Sequence, residues 1–212
     1  MGEPVRVIAG SLRHRRLRRP PKGVRPTSDR VREALFASLG SLEGRRFLDL
    51  YAGTGAVGIE AVSRGATEVV FVERSRQSLE VLRDNLADLG VESGVRVLEG
   101  DAGVHLSQFR ERGETFDLVF VDPPYDSDEA SRILKTLRRA GTVNSGGQVV
   151  VESAKRNPLA CLAGWEVDAE HDYGDSRLTR LVGEVRGPGA PDGDGPADNV
   201  PAREFRKPDV ER

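Results

Sequence analysis

The chemistry of this chain is concentrated where an apolar run, Phe116–Val121, ends in Asp122-Pro123-Pro124-Tyr125. A carboxylate, two rigid carbonyls and a phenol are poor material for a packed core. They suit an exocyclic base amine, whose lone pair is delocalised into the ring and is weakly nucleophilic. Two acceptors aimed at its N–H bonds favour a pyramidal nitrogen and stabilise the positive charge that develops on attack. The Asp122 carboxylate and the Pro123 carbonyl can be those acceptors, with Pro123 and Pro124 fixing the backbone. Tyr125 can stack on a base that has been unstacked to enter the pocket. Asp122, Pro123, Pro124 and Tyr125 are therefore the candidate catalytic residues, and no metal is required.

A second cluster lies upstream. In "DLYAGTGAVG", Gly53, Gly55 and Gly58 follow an apolar segment and precede a helical one, in the spacing G-x-G-x-x-G. Glycines let a backbone approach a ligand closely, and a helix start offers N–H groups. Asp49, just before the loop, disfavours a diphosphate and suits an ammonium group. Glu73 ends the next apolar run, where an acid can accept from ribose hydroxyls. Asp101 follows the third run and can accept from an adenine amine. A nucleoside with an amino-acid head fits all three: S-adenosylmethionine.

These groups need a frame, and the periodicity supplies one. Apolar runs near "RRFLDL", "TEVVFVE", "VRVLEG", "FDLVFV" and "GGQVVVES" alternate with helical stretches, and two β-rich stretches follow near Trp165–Tyr173 and Leu178–Val185. The short helix after the third run is expected near Val104–Glu111. Alternation of this kind predicts a Rossmann-like α/β fold, a mostly parallel sheet with helices on both faces. Ligands bind at the carboxyl edge of such sheets. Upstream, "VRVIAG" reads as a short strand, and Thr27 or Ser28 caps a helix through Leu39 that ends at Gly40. The expected division is a basic extension over 1–40, a catalytic domain over 41–186, and a disordered Gly/Pro-rich tail over 187–212.

Charge is unevenly spread. Residues 1–32 carry ten Arg or Lys against two acids, whereas residues 33–182 carry an excess of eight acids. A basic arm on an acidic body implies an anionic partner. Arg13, Arg15, Arg16, Arg18, Arg19 and Lys22 can contact phosphates, and Arg25 and Arg30 flank a helix start. The single cysteine, Cys161, excludes an intrachain disulfide. No apolar run is long enough for a signal peptide or a membrane span, so a soluble cytoplasmic protein is expected.

On "RVIAGSLRHRRL", "RPTSDRVREALF", "DLYAGTGAVGIEA", "FVDPPY" and "YGDSRLTRL", roughly residues 5–185 resemble the bacterial small-subunit (16S) ribosomal RNA guanine-N2 methyltransferases, a class I S-adenosylmethionine-dependent family. The resemblance implies a seven-stranded sheet with its last strand antiparallel, and an N-terminal extension that helps bind RNA. It implies Asp122 and Tyr125 at the catalytic site. It places Asp49, Tyr51, Ala52, Gly53, Thr54, Gly55, Glu73, Asp101 and Ala102 at the cofactor. It also implies a monomer acting on 16S RNA in the small subunit or an assembly intermediate. The residues alone leave alternatives open: an N6-adenine methyltransferase on RNA or DNA, a nicotinamide oxidoreductase, or a non-catalytic RNA-binding module.

Overall fold

The computed structural model describes residues 5–21, 27–124, 127–159, 162 and 164–183. Lys22, Arg25, Tyr125, Cys161 and the expected tail lie outside the described residues.

Seven strands form one sheet: β1 (Arg46–Leu50), β2 (Glu68–Glu73), β3 (Val95–Glu99), β4 (Phe116–Val121), β5 (Val143–Ala154), β6 (Trp165–Tyr173) and β7 (Ser176–Gly183). Their lateral order is β3-β2-β1-β4-β5-β7-β6. The first five pair in parallel, and β7 runs antiparallel between β5 and β6. The expected mostly parallel sheet with an antiparallel last strand is therefore observed. The central strands are apolar on both sides because helices cover both faces.

Register sorts the strand residues cleanly. Phe47, Val69, Phe71, Leu118, Phe120 and Val150 enter one core, shared with α1 (Asp29–Leu39), α2 (Ala56–Ser63) and α3 (Arg76–Leu89). Leu48, Leu50, Val70, Val72, Val119, Val121, Val149 and Val151 enter the other, with α4 (Ala102–Glu111) and α5 (Ser127–Ala140). Helix boundaries follow local chemistry. The Ser28 side chain accepts from Val31 N–H and caps α1, which ends at Gly40 with φ of 72°. Ser75 caps α3 in the same way, and Gly90 ends it in the left-handed conformation. Helix α5 packs Ala130, Ile133, Leu134 and Leu137, the i, i+3, i+4, i+7 pattern of one buried face.

Two expectations need correction. Helix α4 begins at Ala102 rather than Val104, because the Asp101 side chain caps it by accepting from Val104 N–H. "VRVIAG" is not a strand of the sheet. It folds back on residues 15–17 through Val7 N–H to Arg15 O, His14 N–H to Val7 O and Leu17 N–H to Val5 O, with one antiparallel bridge between Arg6 and Arg16. The reversal runs through His14, at φ of 67°. Val7 and Leu17 are buried in the same core as α1, α2 and α3, so this segment is held by the body of the protein.

The hold is polar as well as apolar. Glu60, fully buried on α2, accepts from Ile8 N–H (2.7 Å) and Ala9 N–H (2.9 Å). Arg32, fully buried on α1, donates to Arg6 O (2.7 Å) and Asp29 Oδ1 (2.6 Å), and its Nη1 lies 3.8 Å from Glu60. These contacts join the "RVIAGSLRHRRL" and "RPTSDRVREALF" blocks, and neither role was readable from local sequence. Among the described residues no helix is long and apolar enough to cross a membrane.

Candidate functional site

Strand alternation decides which acids meet. Asp49, buried on β1, lies in the row of Phe71 and Phe120. Glu73, Asp122 and Glu152 lie one strand repeat further, on the same face and at the carboxyl edge, because residues two apart share a face. Four carboxylates thus line one edge of the sheet over β2, β1, β4 and β5.

The glycine loop spans Tyr51–Gly55. Gly53 has φ of 56° and would meet nothing within 4 Å if it carried a side chain, so the loop is open there. Gly55 and Gly58 have a different reason to be glycine. A Cβ on Gly55 would lie 2.1 Å from Leu82, and one on Gly58 2.2 Å from Phe71. Thr54 and Gly55 are buried, while Tyr51, Ala52 and Gly53 keep some exposure. The loop's backbone donors are largely committed: Ala52 N–H to Val72 O, Gly53 N–H to Glu73 and Gly55 N–H to Ala52 O. A diphosphate would find few donors and would face the Glu73 carboxylate, which argues against a nicotinamide dinucleotide. An amino-acid nucleoside needs acceptors, and Glu73, Asp101 and the open backbone at Gly53 are acceptors of the kind it could use.

Glu73 organises this cradle. Its Oε2 accepts from Gly53 N–H (2.8 Å), and its Oε1 from Arg74 N–H (2.9 Å) and Ser75 N–H (2.7 Å). Asp49 Oδ2 accepts from Gly58 N–H at 2.8 Å and so locks the start of α2. Burial pushes the Asp49 carboxyl up to about 7; the Gly58 N–H opposes this and the Glu73 charge adds to it. A raised carboxylate pKa means the native state keeps a proton that the unfolded chain has released. The stability it contributes is full below the unfolded pKa near 3.8 and is lost as pH rises through about 7. Asp49→Asn keeps an acceptor for Gly58, so its stability relative to wild type should rise by on the order of 2 kcal/mol from about pH 5 to about pH 8. Urea unfolding at the two pH values checks this, and a gap that does not change with pH contradicts it.

A chain of side chains missed by sequence reasoning crosses the same region. Tyr51, at φ of 63°, donates its hydroxyl to Glu129 on α5. Arg132 grips Glu129 with bonds of 2.9 and 2.7 Å and lies 3.7 Å from Asp101. Burial and then the Glu129 bond raise the Tyr51 phenol, and Arg132 holds Glu129 below the usual carboxylate range. The network ties the end of β1 to the helix that directly follows the Asp-Pro-Pro-Tyr segment. The i, i+3 spacing of Glu129 and Arg132 was its one sequence signal.

Asp122 lines a cavity of about 270 Å³. Thr27, Arg30, Asp122, Glu152, Asn157 and Tyr173 are among its lining residues, together with Pro123 and the β6–β7 turn. None of the residues proposed for the cofactor lines it, but Asp122 also feels the charge of Asp49 beside the glycine loop. Burial first, then the charges of Glu152 and Asp49, raise the Asp122 carboxyl well above its usual range, while a hydrogen bond from Thr27 opposes them. Pro123 is buried and Pro124 exposed. Ala102 is buried under the α4 cap.

The arginines divide. Arg18 pairs with Asp84 and Asp88, Arg15 donates to Asp88 O at 2.7 Å, and both therefore help dock the N-terminal segment on α3. Arg13, Arg16 and Arg19 are exposed. Arg30 is exposed in the first turn of α1 and borders the cavity.

Comparison with known proteins follows this geometry. A family model described as conserved hypothetical protein 95 matches residues 5–182. The ribosomal RNA small subunit methyltransferase D of Escherichia coli K12 is 34% identical over 186 residues, 86% of this chain and 92% of that protein. The Haemophilus influenzae protein of the same name is 32% identical over 174 residues, 80% and 89% of the two chains. Among solved structures, the yhhF protein of Escherichia coli is 33% identical with a TM-score of 0.77, covering 87% of this chain and 100% of that one.

Proposed function

The chain belongs to the family described as conserved hypothetical protein 95, which includes the small-subunit ribosomal RNA methyltransferases D, and on that premise we propose that it methylates the N2 amine of a guanine in 16S RNA. The coarser activity, S-adenosylmethionine-dependent methylation of ribosomal RNA, goes with the family; the guanine amine is our reading. The observation that carries it is that Asp122 lines a cavity of about 270 Å³ while feeling the charge of Asp49 beside the acid-lined glycine loop.

S-adenosylmethionine, when bound, supplies an electrophilic methyl group on a cationic sulfonium. Glu73 and Asp101 would hold its ribose and adenine, the Tyr51–Gly53 backbone its length, and Asp49 would place negative charge near its ammonium. Asp122 and the Pro123 carbonyl accept the two N–H bonds of the target amine and aim its lone pair. The clustered carboxylates favour every positive charge that enters or develops there. Asp122 is also the nearest base for the proton that the amine sheds once it gains a fourth bond. Tyr125 is assigned the stacking face, and Arg13, Arg16, Arg19 and Arg30, with Lys22 and Arg25, the phosphate contacts. The substrate is then 16S RNA in the small subunit or an assembly intermediate, met in the cytoplasm by a monomer.

The test is methyl transfer from labelled S-adenosylmethionine to 30S particles from a strain lacking the gene, with the RNA digested and its nucleosides identified by mass. N2-methylguanosine is the expected product. N6-methyladenosine would overturn the base assignment and leave the fold and cofactor standing.

A further inference from the structure

The cavity beside Asp122 contains a second acid that the methyl-transfer step does not use. Val121 and Val151 are direct partners on the adjacent parallel strands β4 and β5. The next residue on each strand is an acid, Asp122 and Glu152. Neighbouring strands lie about 4.8 Å apart, so these two carboxyl groups start side by side on one face. Both line the cavity, and Asp122 feels the Glu152 charge. Two adjacent carboxylates repel, and hydrogen-bond donors on a ligand relieve that cost.

Guanine presents such donors. Its Watson–Crick edge carries the N2 amine directly beside N1–H, two donor positions in a row. Adenine carries an amine beside an N1 lone pair, a donor next to an acceptor. With the amine held by Asp122 and Pro123, the neighbouring edge position faces a second acceptor in a guanine-shaped site. Asn157, in the same lining, carries an amide donor suited to guanine O6.

Building on the methyl-transfer reading above, we propose that Glu152 accepts the N1–H of the target base while Asp122 and the Pro123 carbonyl hold its exocyclic amine, so that this carboxylate pair admits guanine and rejects adenine. Glu152 is then a specificity-determining contact rather than a participant in bond making. A site built to hydrogen-bond an N–H discriminates strongly against an analogue lacking it, because its buried acceptor is left facing a lone pair.

The test uses small subunits reconstituted with 2-aminopurine ribonucleotide in place of the guanosine the enzyme methylates. This base keeps the amine at C2 but has an acceptor at N1. Wild type is expected to methylate it at least ~100-fold more slowly than guanine. Glu152→Gln, whose amide can donate to N1, is expected to raise the 2-aminopurine-to-guanine rate ratio by ~10-fold or more. The ratio is internal to each enzyme, so partial misfolding of the variant does not mimic the result, and loss of the guanine O6 contact affects both enzymes equally. A wild-type ratio near one overturns the proposal without recourse to any variant. An unchanged ratio in Glu152→Gln overturns it as well, with guanine-N2 methylation still intact. Failure of the underlying reading is separately visible, as absence of N2-methylguanosine on the unmodified subunits, and would remove the proposal with it.

Discussion

Asp122→Ala should leave a folded protein that binds S-adenosylmethionine but transfers its methyl group about 10²–10³-fold more slowly, the usual loss for one preorganised partner of a developing charge. The carboxylate lines the 270 Å³ cavity, and the charges that act on it are those of Glu152 and Asp49. Removing it relieves like-charge repulsion, so the melting temperature should not fall. That separates a catalytic loss from a folding one. Single-turnover methylation of 30S particles, with calorimetry for the cofactor, makes the measurement. Full activity in this variant would sink the proposed chemistry. A pH profile adds a second view. Asp122 is raised above the normal carboxylate range and can take the amine's proton only when ionised, so kcat/KM should climb with pH through that raised value. Glu152→Gln removes a like charge and should move the climb to lower pH.

Glu60→Ala should be the most damaging substitution for the fold outside the sheet, costing about 3–5 kcal/mol. Glu60 is fully buried and serves four groups: Ile8 N–H, Ala9 N–H, the Arg64 guanidinium at 2.8 Å and the buried Arg32 guanidinium at 3.8 Å. Truncation strands two backbone donors and leaves the buried Arg32 charge balanced by Asp29 alone, and unpaired buried groups cost more than their bonds contributed. Urea unfolding measures the loss, and limited proteolysis should show residues 5–21 cleaved before the sheet domain. Glu60→Gln retains one carbonyl acceptor and should lose less. A loss under about 1 kcal/mol for the alanine variant would show that apolar packing of Val7 and Leu17 holds the segment instead. Release of the segment would also free Arg15 and Arg18 from Asp88.

Local features of the sequence were sufficient for the elements of the sheet domain. Short, β-branched and aromatic apolar runs such as "VVFV" and "LVFV" read as strands buried on both faces, and Ser28, Ser75, Gly40 and Gly90 mark helix ends because capping and positive-φ turns are local events. The glycine loop and Asp-Pro-Pro-Tyr stood out as candidates for the same reason: the chemistry they suggest lies in consecutive residues. The N-terminal segment was misread as a strand because "VRVIAG" has strand composition, while its real partners are the buried Glu60 and Arg32, 52 and 26 positions away. Gly55 and Gly58 looked like ligand-binding glycines, yet the close approach of Leu82 and Phe71 requires them. Glu152 gave no signal at all, since an acid at a strand end is ordinary. It became informative only once β4 and β5 lay side by side in register and brought it next to Asp122. Periodicity along the chain specifies which face a residue takes on its own strand. Lateral strand order and register, set by packing between segments distant in sequence, decide which side chains share that face, and so which acids meet at the carboxyl edge of the sheet.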